Sequence, residues 1–241
     1  MRISVVIPAF NEEQLIAETL LQVKSAQEVC SKRNWESELI VCDNNSADRT
    51  AELARAGGAT VVFEPVNQIA RARNRGAEAA SGDWLIFVDA DTHPSAALFE
   101  AVMKQIESGR CLAGGATVRM DGNNAMGVAC VWLWNRTSRS LRWMAGSFIF
   151  CETATFRKIG GFSNELFASE EIEFSGRLKR VAREDGRRVV ILHRHPVVTS
   201  ARKLKLYTLR EYLGFLAKTL WSRGATLKDR SACFTWYDGR R

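Results

Sequence analysis

The first hundred residues alternate between short apolar runs and segments in which apolar residues recur at helical spacing. The apolar runs predict strands at Ile3–Ile7, Glu38–Cys42, Thr60–Phe63 and Trp84–Val88. The amphipathic segments predict helices from Asn11 to about Val29, from Ser46 or Asp48 to about Ala56, from Ile69 to about Ala80, and over Ser95–Ser108. Repeated strand–helix units of this length predict an α/β fold with a parallel sheet flanked by helices.

The second half of the chain has a less regular pattern. It predicts strands at Leu112–Met120, with Gly114-Gly115 as a bulge, and at Ser147–Cys151 and Val189–Leu192. It also predicts helices over Asn123–Leu141, Ser169–Arg183 and Leu206–Leu220, with a turn at Gly160-Gly161-Phe162. No repeat or linker interrupts the chain, so we expect a single domain over residues 1–241.

The amino-acid composition indicates the class of protein and the compartment in which it is found. Hydrophobic content is 46% and charged content 25%, which is typical of a globular protein. No apolar run approaches the roughly 20 residues that span a bilayer. The six cysteines are scattered without a CxxC pair, which favours a reducing compartment. We therefore expect a cytoplasmic protein, with peripheral contact at the inner face of the plasma membrane as the alternative.

The net charge of +7 arises mostly after Arg136. Such an excess favours nucleic acid, anionic lipid or a phosphorylated substrate. No nucleic-acid-binding motif accompanies the charge, so substrate phosphate and a lipid surface rank above nucleic acid. Trp132 and Trp134 lie next to Arg136 and Arg139, and three interpretations stay open for this segment: core packing, stacking on a sugar, or an interfacial helix.

The strand Trp84–Val88 ends in two carboxylates, Asp89 and Asp91. Residues two apart in an extended chain point to the same side. Two acids there are costly unless a positive group is near, and a divalent cation with a phosphate ligand is the natural candidate. The alternative is an acidic, solvated turn.

Polar residues also follow the other strands of the predicted sheet. Pro8, Asn11 and Glu12 follow the first strand and Asp43 the second. Ligands bind beyond the carboxyl ends of parallel strands, so these residues favour a binding site at one edge of the sheet. Asn11 as a helix cap and Asp43 as a turn former are the alternatives. The dinucleotide-binding fold is disfavoured, because no GxGxxG follows the first strand.

Three arginines, Arg71, Arg73 and Arg75, occur at intervals of two residues in the predicted helix after the third strand. At this spacing they rotate around the helix, so at most one or two can face a single ligand. We expect one arginine and Asn74 to approach the ligand, and Gly76 to let the helix pack closely. A solvated basic face is the alternative.

Taken in order, these segments resemble the signature of family 2 glycosyltransferases. The matching motifs are Pro8-Ala9-Phe10-Asn11-Glu12, Asp43-Asn44-Asn45-Ser46-Ala47-Asp48-Arg49-Thr50, Ala72-Arg73-Asn74-Arg75-Gly76 and Asp89-Ala90-Asp91, with Gly160-Gly161-Phe162 and Glu170-Glu171 beyond them. The resemblance implies a GT-A fold, with a Rossmann-like, mostly parallel sheet and an irregular C-terminal acceptor side. Residues 1–110 would form the nucleotide-sugar-binding half and residues 111–241 the acceptor-binding half.

The same resemblance implies a nucleoside-diphosphate-sugar donor, for which we expect a UDP-sugar before a GDP- or dTDP-sugar. The residues implied to bind this donor are Pro8, Ala9, Asn11, Glu12, Asp43, Arg73, Asp89 and Ala90. Asp91 is implied to hold Mg²⁺ or Mn²⁺, and His193, or else His195, is a candidate for the third ligand that the C-terminal region often supplies in this fold. Arg202 or Lys203 is expected to close over the diphosphate.

A base for the acceptor hydroxyl is the second chemical need. The resemblance places it in an acidic pair that usually ends in Asp, and here Glu171 occupies that position after Glu170. We therefore predict Glu171 as the base of an inverting transfer, with Glu170 or Glu173 as substitutes. The alternative is a helix start that gathers acids for the macrodipole alone.

Two rival functions stay open. A scaffold protein with a dead active site is supported only by Glu in place of Asp at position 171. A nucleotidyltransferase would need a glycine-rich, basic loop after the first strand, whereas Pro8–Glu13 is acidic.

Overall fold

The computed structural model describes residues 1–122, 125–202, 211, 214, 218–219, 221–222, 224–233 and 237. Its strands are β1 (Arg2–Ala9), β2 (Glu36–Asp43), β3 (Thr60–Phe63), β4 (Trp84–Val88), β5 (Thr92–His93), β6 (Cys111–Met120), β7 (Phe148–Glu152) and β8 (Arg188–Thr199). Its helices are α1 (Ile16–Ser31), α2 (Thr50–Ala56), α3 (Ile69–Glu78), α4 (Ala96–Glu107), α5 (Ala125–Leu141), α6 (Thr153–Lys158) and α7 (Glu170–Glu184), with a 3₁₀ turn at Ala225–Lys228. The predicted helix Leu206–Leu220 and Lys203 lie largely outside the described residues.

One eight-stranded sheet runs through both halves of the chain, in the order β3-β2-β1-β4-β7-β6-β8-β5. The four strands β3, β2, β1 and β4 are parallel, as predicted. β7 is antiparallel to β4 and β6, β8 is parallel to β6, and β5 is antiparallel to β8. The division into a donor half and an acceptor half stays a prediction.

β1 shows why the sheet is buried on both faces. Ile3, Val5 and Ile7 are fully buried in a cluster with α1, α2 and α4, whereas Val6 is fully buried in a second cluster with α3, α6 and α7. Side chains alternate along a strand, so a continuous apolar run supplies both cores. Gly76 lets α3 approach this strand, because a Cβ there would lie 2.3 Å from Val6 Cγ1.

Two helix starts differ from prediction. α1 begins at Ile16, because Asn11 adopts a left-handed conformation with φ of 52° and does not cap it. Asn11 instead joins two loops: its N–H donates to Ser46 Oγ and its Oδ1 accepts from the Ala47 N–H. α2 begins at Thr50, whose N–H and hydroxyl both donate to Asp48 Oδ1.

The glycine pair in β6 is not a bulge. The register shifts lie on either side of it, between Cys111 and Ala113 and between Ala116 and Val118. A Cβ on Gly114 would lie 2.5 Å from both the Phe150 ring and the Val190 carbonyl oxygen. Gly114 is therefore required for close approach between strands. No helix among the described residues is long and apolar enough to cross a bilayer.

Candidate active site

A cleft opens at the carboxyl ends of β1 and β4, where the sequence predicted a site. Its lining is supplied by Pro8, Ala9, Phe10, Glu12, Asn44, Asn67, Ile69, Asp89, Ala90, Asp91 and Tyr237. A second pocket adjoins it, lined by Ile69, Arg73, Asp89, Gly146, Ser147, Ser169, Glu170 and Glu171. Ile69 and Asp89 belong to both, so the Asp89 carboxylate lies on the wall between the two pockets.

The Arg73 side chain links the residues that form this wall. Its guanidinium is 1% exposed and lies 3.0 Å from Asp89 Oδ1 and 2.5 Å from Glu170 Oε1. It also donates to the Gly146 carbonyl oxygen at 3.0 Å. Burial disfavours the charge, but the carboxylates of Asp89 and Glu170 outweigh it and raise the pKa of Arg73.

The neighbouring arginines face elsewhere, in agreement with the prediction that at most one or two of the three face a single ligand. Arg71 pairs with Glu64 at 3.2 Å and Arg75 with Glu78 at 3.0 Å. Of these three arginines, Arg73 alone lines either pocket, and it lines the second one.

Asn74 does not approach the cleft, and that prediction is wrong. Its side chain donates to the Phe162 carbonyl oxygen at 2.9 Å and accepts from the Phe162 N–H at 2.9 Å. These bonds fix the turn in which Gly160 and Gly161 have φ of 77° and 68°. The Phe162 ring lies 5.2 Å from Arg73 Cζ, so Asn74 holds the turn whose aromatic ring packs against the arginine.

The three acids at the start of α7 have different surroundings. Glu170 is 3% exposed and is bound to Arg73. Glu173 pairs with Arg177 at 2.7 Å, away from both pockets. Glu171 lines the second pocket. Burial raises the pKa of Glu171 to about 8, the charge of Glu170 adds to this shift, and Arg73 partly offsets it.

Asp91 lies beside Arg202 and two hydroxyl groups. Arg202 Nη2 is 3.9 Å from Asp91 Oδ2 and donates to both carboxylate oxygens of Glu12, at 2.8 and 3.0 Å. Burial disfavours the charge of Arg202, but its bonds to Glu12 and the charge of Asp91 raise its pKa. The hydroxyls of Thr92 and Thr199 lie 3.4 and 3.5 Å from Asp91 Oδ1.

The chemistry of these acids fits a cation held together with phosphates. Within the described part of the chain, no group of three or more His, Cys, Asp or Glu residues is placed to hold a metal. Mg²⁺ in substrate-bound sites usually takes only one or two carboxylates, and phosphate oxygens and water complete its shell. Asp91, with Asp89 nearby on the same cleft, meets that need.

His193 does not join this site, so its prediction as a metal ligand is wrong. β8 does not end at Leu192 but continues to Thr199, the residue beside Asp91. β8 bulges between Leu192 and Val197: Leu192 and Thr199 pair with Ala116 and Met120, which are four residues apart on β6, or roughly 13 Å. The exposed His193 lines a different groove, beside α5.

Four predicted donor-binding residues lie outside the cleft lining: Arg73, which lines the second pocket, and Asn11, Asp43 and Arg202. Asp43 is 8% exposed and its Oδ1 accepts from the Ser46 N–H, which is the turn-forming alternative. Its neighbour Asn44 lines the cleft instead. Asn11 lines a shallow depression next to the cleft, together with Arg202.

Tyr237 is a cleft residue that the sequence did not reveal. Its hydroxyl oxygen accepts from the Ile69 N–H at 3.4 Å, and its ring packs edge-to-face on Phe167 at 5.6 Å. It lies far along the chain from every motif. Asn44 was detectable only as part of its motif: its amide accepts from the Gln68 N–H at 2.8 Å and donates to the Val66 carbonyl oxygen at 2.6 Å.

Residues 4–161, which include most of β1, all of β4 and the acids that follow them, match the family model described as Glycosyl transferase family 2. The chain belongs to this family. Among curated relatives of this glycosyltransferase domain is the undecaprenyl-phosphate 4-deoxy-4-formamido-L-arabinose transferase of Edwardsiella ictaluri. It is 28% identical over 149 residues, which cover 57% of this chain and 41% of the relative.

Solved structures of similar shape identify the fold of this family 2 domain as GT-A. The mannosyltransferase PcManGT from Pyrobaculum calidifontis, in complex with GDP-Man and Mn²⁺, aligns over 94% of this chain and 62% of its own, with a TM-score of 0.67 and 18% identity. S. aureus TarS 1–349, in complex with UDP-GlcNAc, aligns over 98% of this chain and 69% of its own, with a TM-score of 0.64 and 18% identity.

Proposed function

We propose that this family 2 domain transfers a sugar from a nucleoside-diphosphate sugar to an acceptor hydroxyl, with a divalent metal and inversion at the anomeric carbon. The observation that carries the proposal is the buried contact of Arg73 with Asp89 and Glu170. It joins a cleft edged by Asp89 and Asp91 to a pocket lined by Glu171. The acids that would bind the donor and the candidate base thus line two adjoining pockets that share Asp89.

The cleft would hold the donor. Pro8, Ala9 and Glu12 would border the base and ribose, and Asp89 with Ala90 would border the sugar. A UDP-sugar is our first choice, and complexes of the similar structures with UDP-GlcNAc and GDP-Man support the donor class. Asp91 would hold Mg²⁺ or Mn²⁺, which when bound neutralises charge on the leaving diphosphate.

Arg202 is placed to change partners when the donor binds. It is held by Glu12 and lies near Asp91. A diphosphate in the cleft would offer Arg202 phosphate oxygens in place of the Glu12 carboxylate, since guanidinium binds both groups with paired hydrogen bonds. That exchange would separate Arg202 from Glu12 and leave Asp91 to the metal.

Glu171 would act as the base. It would accept the proton of the acceptor hydroxyl while that oxygen attacks the anomeric carbon from the face opposite the diphosphate, which inverts the centre. A pKa raised by burial gives this carboxylate more basic strength than an exposed one. Glu170, bound to Arg73, would be a positioning residue.

The acceptor would enter the second pocket, beside Gly146 and Ser147. A saccharide, a lipid-linked sugar carrier and a small molecule are the acceptor classes we consider. The name of the Edwardsiella ictaluri relative, an undecaprenyl-phosphate transferase, supports testing a lipid-linked acceptor first. Glu in place of Asp at position 171 remains the sole support for the scaffold alternative, and the acidic Pro8–Glu13 segment disfavours a nucleotidyltransferase.

The test begins with thermal-shift screening of nucleotides and nucleotide sugars with Mn²⁺, because a ligand that binds the native state raises the Tm. Donors that bind are then assayed for nucleotide release, comparing wild type with Glu171→Ala. Glu173→Ala is the matched control, because that carboxylate faces Arg177.

We expect release by wild type and by the control, and strongly reduced release by Glu171→Ala. Asp91→Asn should abolish the Mn²⁺-dependent part of the thermal shift. Absence of release with every donor and acceptor tried would favour the scaffold alternative. An unchanged Mn²⁺ effect in Asp91→Asn would overturn the metal assignment.

A further inference from the structure

α5 carries large apolar side chains that do not contribute to the core. Val128, Trp132 and Leu133 are 57%, 63% and 59% exposed. The helix is nevertheless anchored: Asn135 Oδ1 accepts from the Val118 N–H at 2.9 Å, and its Nδ2 donates to the Val118 carbonyl oxygen at 2.8 Å. On the other side of α5, Trp134 packs against the core and Ser138 is fully buried, so the exposed side is a surface of the finished fold.

The same surface is strongly basic. Arg119, Arg136, Arg139 and His193 line a groove between α5 and the strands β6 and β8, and no acid is among the described residues that line it. The sequence has no Asp or Glu between Asp121 and Glu152. Arginines so placed set up a positive potential that nearby carboxylates do not cancel.

Apolar and basic groups are interleaved here. Trp132 lies one turn before Arg136, whose Cζ is 5.9 Å from the centre of its ring. Leu133 follows Trp132 in the sequence. Arg139 lies two turns beyond Trp132 and lines the groove. We call Val128, Trp132, Leu133, Arg136 and Arg139 the α5 face.

We propose that the α5 face docks this protein on a membrane surface rich in anionic lipid headgroups. Arg136 and Arg139 would contact lipid phosphates, while Trp132 and Leu133 would enter the boundary between headgroups and acyl chains. Helices that bind in the plane of a membrane combine a basic side with exposed Trp and Leu. A tryptophan ring suits that depth, because its body is apolar and its N–H is polar.

A nucleic acid or a soluble phosphate would satisfy the arginines but leave the apolar residues unexplained. Neither ligand gains from Val128 or Leu133 held in water at more than half exposure. Only a partner that is anionic at its surface and apolar beneath matches both parts of the α5 face. A bilayer with anionic lipids has that layered chemistry.

The position of the α5 face relative to the acceptor pocket gives docking a use. The loop after α5 leads to Met144, whose N–H donates to Ser175 Oγ on α7, and to Gly146, whose carbonyl oxygen accepts from Arg73. A membrane bound at α5 would therefore contact a helix that this loop connects to the second pocket. The inference does not rest on the proposed transfer, because docking is measured without donor or acceptor.

The test is co-sedimentation of the full chain with vesicles of phosphatidylcholine alone or mixed with phosphatidylglycerol. Two variants probe the α5 face: Arg136→Gln/Arg139→Gln and Trp132→Ser/Leu133→Ser. Two controls match them elsewhere: Arg180→Gln/Arg183→Gln on exposed positions of α7, and Leu21→Ser on α1, where Leu21 is 68% exposed. Thermal melts verify that each variant is folded.

We expect binding to the mixed vesicles, weak binding to phosphatidylcholine, and loss of binding in high salt. Removing two arginines should lower the partition coefficient about thirtyfold, since each basic residue near an anionic surface contributes a factor of about five. Trp132→Ser/Leu133→Ser should lower it about tenfold or more. Both controls should bind like wild type.

Three results would overturn the proposal. One is the absence of binding to phosphatidylglycerol vesicles. Another is equal loss of binding in the α7 control, which would indicate attraction through net charge alone. The third is loss of affinity for inorganic phosphate or nucleic acid in the arginine variant, with unaltered vesicle binding, which would identify the groove as an anion site unrelated to membranes.

Discussion

Replacing Glu171 by Gln removes a carboxylate whose charge the folded protein disfavours. The side chain keeps its shape and can no longer accept a proton from an acceptor. Burial, with the charge of Glu170, raises the pKa of Glu171 from 4.5 to about 8 in the folded chain. One change therefore tests both the electrostatics of the second pocket and the identity of the base.

The sign of the stability effect follows from that direction. Because the pKa of Glu171 is raised in the folded state, its protonated carboxyl group contributes fully to the free energy of unfolding of wild type below about pH 4.5. That contribution is lost as the pH rises to about 8. Glutamine carries no charge at any pH, so the free energy of unfolding of the variant does not fall through this position as the pH rises. The variant should therefore gain stability over wild type as the pH rises, with the gain complete above about pH 8.

The size of the gain is bounded by the same shift. Each pKa unit corresponds to about 1.36 kcal/mol, so a shift from 4.5 to about 8 sets an upper limit near ~5 kcal/mol. Glu171 lines an open pocket that admits water, so we expect about 1–2 kcal/mol. In a chain of this length that raises the Tm by about 2–8 °C.

The assay is urea unfolding of both proteins between pH 4.5 and 9, together with transfer rates. Transfer should fall by at least about 10²-fold if Glu171 is the base. Glu173→Gln is the control, because its carboxylate pairs with Arg177 and should show no such pH-dependent gain. A stability difference that stays flat from pH 4.5 to 9 would refute the electrostatic reasoning, and wild-type transfer by Glu171→Gln would refute the base.

Other residues of the site give further predictions. Arg73→Met leaves the Glu170 carboxylate buried without its partner and should lower the free energy of unfolding by about 3–5 kcal/mol, and adding Glu170→Gln should recover part of the loss in urea unfolding. His193→Ala should leave Mn²⁺-dependent donor binding unchanged in calorimetry, since His193 lies in the groove beside α5; a weakened affinity would return it to the metal site. Tyr237→Ala should weaken donor binding more than Tyr237→Phe, which keeps the ring in the cleft, and equal effects would assign the role to the hydroxyl.

The parallel half of the fold was predictable because its signals are local. β3 and β4 have the predicted bounds, since each is an apolar run between clear turn residues. Position alone placed Glu12, Asp89 and Asp91 at one edge, because the carboxyl ends of parallel strands meet there. The spacing of the three arginines indicated that at most one or two face a ligand, and the family resemblance named Arg73.

The remainder depends on contacts between distant parts of the chain. β8 continues past Leu192 because β6 and β5 supply its partners, which no periodicity within β8 indicates. Arg73 meets Glu170 across 97 positions of sequence, and Tyr237 meets Ile69 across 168. Asn11 looked like a helix cap because Asn favours both caps and left-handed turns, and the second use prevailed.

The three partners of Arg73 come from different stretches of the chain: the end of β4, the segment before β7, and the start of α7. A chain cut before Gly146 would keep Asp89 and lose the other two. Chimeras that graft the second half of one relative onto the first half of another must therefore inherit a matching carboxylate and carbonyl at this guanidinium. Recombination in this family should tolerate exchange of surface helices far more readily than exchange of whole halves.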